Sequence, residues 1–87
     1  MPRYHFDFHN GVGFVPDAEG RELPNLEAVK REALKGIRSV IAAEVEKGTL
    51  DLTGKMTIRG EDQAEILVIA FDEALMIRGR WIPPEGL

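Results

Sequence analysis

The chain has no cysteine among its 87 residues, which excludes disulfide staples and thiolate-held metals. It lacks an excess of positive charge. Eleven Lys and Arg stand against fifteen Asp and Glu, for a net charge of −4 and a pI near 5.1. Phosphate neutralisation needs a basic stripe, and here the cations are interspersed with acids, so nucleic acid is not an expected partner. Long apolar runs are missing too. Residues 66–71 form the longest, far short of a membrane span. The chain enters its first strand at once, which leaves no room for a secretory leader and, with the absence of cysteine, predicts a cytoplasmic protein.

What remains is 44% hydrophobic and 30% charged, the balance of an ordinary globular domain and too apolar for disorder. Tyr4, Phe6 and Phe8 alternate with His5, Asp7 and His9. That period of two predicts a half-buried strand with its aromatics inward and a solvated polar face. Asn10-Gly11 is a hairpin signal. A short second strand follows around Phe14 and Val15, ended by Pro16. Residues 17–20 read as a further turn, and residues 21–23 can resume extended structure before Pro24.

Asn25 is a suitable N-cap, and Leu26, Val29, Ala33, Ile37, Val40, Ile41 and Val45 draw one stripe along a helix over residues 26–47. Gly48 supplies the stop. Gly36, in mid-helix, implies close packing by another element. Residues 55–59 alternate again, with Met56 and Ile58 inward. A turn at residues 60–63 leads to a last strand, residues 64–71, that is apolar on both faces and so expected to be buried on both. The predicted class is α+β in the order ββαββ, a small sheet with one long helix on one face. Residues 1–74 make a single compact domain and residues 75–87 a C-terminal tail.

Residues 1–4 (Met-Pro-Arg-Tyr), 17–20 (Asp-Ala-Glu-Gly), 23–28 (Leu-Pro-Asn-Leu-Glu-Ala) and 50–54 (Leu-Asp-Leu-Thr-Gly) together resemble an uncharacterised family of short alphaproteobacterial proteins. The resemblance covers residues 1 to 72 and implies no assigned activity. Gln63 departs from the pattern, where a glycine-containing turn is typical. Half the chain also resembles HicB-type antitoxins, which place a short sheet before a similar helix. That likeness implies an antitoxin-like partner that occludes a small toxin ribonuclease.

Among candidate chemical groups, His5, Asp7 and His9 are metal-competent residues on one strand face. Neighbours two apart lie about 7 Å from each other, but the two histidines stand about 13 Å apart. One ion therefore needs a further ligand such as Glu61 or Asp62, and an exposed polar face is the plainer reading. Gly11-Val12-Gly13 opens no helix and so is a turn, not a phosphate loop. Asp17, Glu19 and Glu22 lack the ligand series of a calcium loop. Ser39, Thr49, Thr53, Thr57 and Tyr4 sit in no nucleophile motif. No catalytic residue, metal or cofactor is assigned; a metal-dependent enzyme on the first-strand face is the second alternative.

Arg78, Arg80 and Trp81 suit a peptide or a base, though Trp81 is better read as packing on a core. The expected function is a non-catalytic protein-interaction or structural module that self-associates. One helix shields one face of the sheet, which leaves either Leu67, Ile69 and Phe71 or Ile66, Val68 and Ala70 for a partner. Leu67, Ile69, Phe71 and Trp81 are the expected interface of a homodimer, and the identity of any other protein partner is open.

Overall fold

A computed structural model describes residues 1–11 and 13–78. Among the described residues, five antiparallel strands form one sheet with a single long helix against it. β1 is Arg3–Asn10, β2 Gly13–Val15, β3 Arg21–Glu22, α1 Leu26–Glu46, β4 Lys55–Arg59 and β5 Glu65–Ala70. A 3-10 turn, Phe71–Ala74, follows β5. The strand order is β2-β1-β4-β5, with β3 beside β2 on the same side of β1. The expected α+β class, with strands on either side of one long helix in the chain, is therefore observed; the resumed extended segment adds the two-residue β3, so that the order is βββαββ.

Registers of Phe6 against Ile58 and Phe8 against Met56, then Met56 against Ile69 and Ile58 against Leu67, put the apolar halves of three strands on one face. Val29, Ala33, Ile37 and Ile41 of α1 bury themselves there with Met56, Ile58, Ile69, Phe71 and Ala74. Phe8 meets Phe71 edge-on at 6.1 Å. A Cβ on Gly36 would stand 3.4 Å from Met56 Cε and 3.7 Å from Phe8 Cζ, so the glycine admits these side chains close to the helix.

Asn25 Oδ1 accepts the Ala28 N–H at 2.9 Å and starts α1. Gly48, at φ +91, follows its end, where residues 47 to 49 donate back to the carbonyls of Glu44 and Val45. Leu26 and Val45, expected on the buried stripe, are exposed. The reason is length: the helix has 21 residues and reaches about 32 Å, whereas the five residues of β4 reach about 17 Å. The helix is thus longer than the central strand it packs on.

Gln63 takes φ +69 in the β4–β5 hairpin, the left-handed position that glycine usually fills. Its N–H donates to Gly60 at 3.0 Å, and its side chain accepts from Arg59. The departure at Gln63 is thus held by local bonds. Between Ile58 and Arg59 the β4–β5 register shifts by one residue, the mark of a bulge on β5.

Candidate functional site

The polar face of β1 is not the solvated surface that alternation predicts. Asp7 is only 3% exposed. Arg59, diagonal to it across the β1–β4 ladder, grips both its carboxylate oxygens, from Nε at 2.6 Å and Nη2 at 3.0 Å. The Asp17 N–H donates to Asp7 Oδ1 at 2.8 Å. Burying a carboxylate is unfavourable unless it is paired and bonded, and here it is both. The Arg59 hydrogen bond is the main cause holding the Asp7 carboxyl below the usual carboxylate range, and the Asp17 N–H adds to it. Arg59 is pushed correspondingly upward.

Asp17 has a second task. Tyr4 of β1 pairs with β3, and Phe8 and Asn10 pair with β2, which leaves the Phe6 N–H in the gap between the two short strands. The Asp17 carboxylate fills that gap, accepting the Phe6 N–H at 3.0 Å and the Gly20 N–H at 3.1 Å. Its carbonyl lies 2.8 Å from His5 Nδ1. Gly20 turns the chain there at φ +72, and a Cβ would stand 2.8 Å from the Tyr4 carbonyl.

The candidate metal residues are therefore held apart. His5 is engaged by Asp17, Asp7 by Arg59, and the His9 ring stacks on Phe14 at 4.4 Å. Glu61 accepts from the Arg3 N–H and Asp62 from the Ala64 N–H, so neither completes a ligand set. Among the described residues no three His, Asp or Glu side chains converge on a cation position. Of the acidic turn, Glu22 lies 3.9 Å from Arg3 and Asp17 is consumed at the sheet edge. Asp17 and Arg59 are the partners of Asp7 that sequence reasoning misses. Only the strand register brings Arg59 to Asp7.

On the helix side a groove of about 580 Å³ opens between α1 and the β1 edge. Phe6, Phe8 and Met56 line it with Lys35 and Ser39 of α1, and an Arg21–Glu32 ion pair joins β3 to α1 beside it. Ser39 has no imidazole to take its proton. The registers put His5 and His9 on the other face of the sheet.

The last strand is apolar on both faces, as read, but covered on one. Leu67 packs partly buried against the core, Ile69 is 6% exposed and Phe71 2%. These three expected interface residues are thus occupied within the chain, because α1 and the 3-10 turn lie over them. Ile66 and Val68, at 44% and 46%, are the exposed pair. Arg80 and Trp81 fall outside the described residues. Arg78 is inside them, its Nε 3.1 Å from Met76 Sδ.

Residues 3–72, the strands and helix just described, match the DUF6894 domain of unknown function. The chain belongs to the DUF6894 family. Comparison with curated proteins and with solved structures gave no match. The family boundary falls inside the 3-10 turn, so every residue of the Asp7–Asp17–Arg59 cluster and of β5 is a DUF6894 residue. Among the described residues no helix is long and apolar enough to cross a membrane.

Proposed function

We propose that this DUF6894 chain is a non-catalytic protein-interaction module that self-associates through the open face of its sheet. One observation carries the reading. Ile66 and Val68 of β5 stand about half exposed on the face opposite α1, with no covering layer among the described residues, and water is an unfavourable neighbour for such a strip. The polar groups nearby serve the fold. Asp7, Arg59, Asp17 and His5 spend their bonds on one another and on backbone. A second copy presenting the same strip about a two-fold axis is the simplest cover.

Light scattering on dilute protein, repeated on Val68→Asp, tests this. Wild type is expected to run as a dimer at micromolar concentration, and the variant as a monomer with a thermal melt within about 1 kcal/mol of wild type, since an exposed position is changed. A wild-type chain that stays monomeric at that concentration overturns the reading.

A further inference from the structure

The rim of β5 is a different surface from the face just discussed. Among the described residues, β5 is bonded to β4 on one side and to no strand on the other. The Phe71 N–H donates to the Gly54 carbonyl at 2.9 Å, in line with the pairing of Lys55 with Ala70. Antiparallel alternation then turns the backbone groups of Ile69 toward β4 and those of Val68 and Ala70 outward. Glu73 sits 3.4 Å from the Ala70 N–H. The N–H and C=O of Val68 have no partner among the described residues. An apolar edge with open backbone groups at its centre is a template for another strand.

Charge decides which strand. Glu61, Asp62 and Glu65 precede or open β5 and Asp72 and Glu73 follow it, all exposed, and residues 60–77 contain no Lys or Arg. Of the neighbouring cations, Arg59 is engaged by Asp7 and Gln63 and Arg38 by the Ala74 carbonyl at 2.8 Å, while Lys55, opposite Ala70 on β4, is a single positive charge against these five acids. Antiparallel pairing of β5 with a second copy would bring Glu65 of one chain beside Asp72 and Glu73 of the other, at both ends. Like charges so placed oppose pairing. A strand with an apolar centre and Lys or Arg at its ends meets no such opposition and neutralises both acidic ends.

We propose that the β5 edge is a docking strand for an extended peptide with an apolar, β-branched centre and basic flanks, bound by strand addition. This goes beyond self-association, which uses the face and not the rim.

The test is fluorescence anisotropy of two labelled synthetic peptides, Lys-Lys-Val-Thr-Val-Thr-Val-Lys-Lys and the same core with Glu at all four flanking positions, on the full chain. The basic peptide is expected to bind at least about tenfold more tightly at low salt, with the advantage shrinking at high salt. Val68→Pro removes the outward N–H without touching the β4 ladder, and should weaken basic-peptide binding about tenfold or more. Should that variant fail to fold, the exposed double variant Glu65→Lys with Asp72→Lys must reverse the preference between the peptides. Equal binding of both peptides, or binding of neither, overturns the proposal. Because peptide preference is read separately from mass, loss of this proposal leaves the face-to-face reading standing, and the reverse.

Discussion

The two sides of the sheet are finished in opposite ways. Beyond β1 the sheet is closed by two very short strands, β2 of three residues and β3 of two, with the Asp17 carboxylate bonded to the one donor between them. Short edge strands and side-chain plugs are means by which proteins blunt an edge. Beyond β4 stands β5, six residues of Glu-Ile-Leu-Val-Ile-Ala, with no proline, no lysine and, among the described residues, no strand outside it. The same chain that spends residues 10–24 on sealing one side leaves the other open. That asymmetry is what the proposed docking on the β5 side rests on. Under that proposal, the acids at both ends of the strand favour a basic partner over an acidic one.

The seal can be broken directly. Asp17→Ala leaves the Phe6 and Gly20 N–H groups without their acceptor. At about 1–3 kcal/mol for each unsatisfied donor, a loss of about 3 kcal/mol is expected in urea unfolding, together with faster hydrogen exchange at Phe6. Asp17→Asn, which keeps one carbonyl oxygen, should lose less. A change under about 0.5 kcal/mol would show that the β1 side is closed by β2 and β3 alone.

Acid should act on the sealed side next. Asp7 titrates below its ordinary range because Arg59 and the Asp17 N–H favour its charged form. A depressed carboxylate contributes stability that is fully present above the unfolded-state value of about 4 and is lost as pH falls through the lower folded value. The difference in melting temperature between wild type and Asp7→Asn is therefore expected to be constant from neutral pH down to about 4 and to narrow below it. A difference that widens in acid would reverse the assignment.

The smallest effect lies at Gln63. Glycine there removes the left-handed penalty on a side chain, worth about 1 kcal/mol, and forfeits the exposed contact to Arg59. A net gain of about 0.5 kcal/mol is expected from the balance of the two, read as a melting shift of a few degrees. A loss would mean that Gln63 is part of the Asp7–Arg59 grip, extending the sealed region into the β4–β5 hairpin.

Much of the architecture was legible because its signals are local. Alternation at residues 4–9 and 55–59 places β1 and β4, and Asn25 and Gly48 bracket the helix within one residue of its observed span. The candidate site was less legible. His5, Asp7 and His9 share a face as read, yet the prediction of a solvated face fails at Asp7. The cation that buries it comes from 52 residues away, and the loop that covers it reads in sequence only as an acidic turn.

The sequence by itself determined the element types and the two-faced apolar character of β5, since side-chain periodicity of two or 3.6 is written in neighbouring residues. It also determined the acids at both ends of that strand. Only the tertiary structure decided which face of β5 the helix covers, sending Leu67, Ile69 and Phe71 inward and leaving Ile66 and Val68 outside. It alone joined Asp7 to Arg59 and set Asp17 into the edge of β1. Those outcomes depend on strand order and register, and register is fixed by how distant apolar faces meet, which no short stretch of chain specifies.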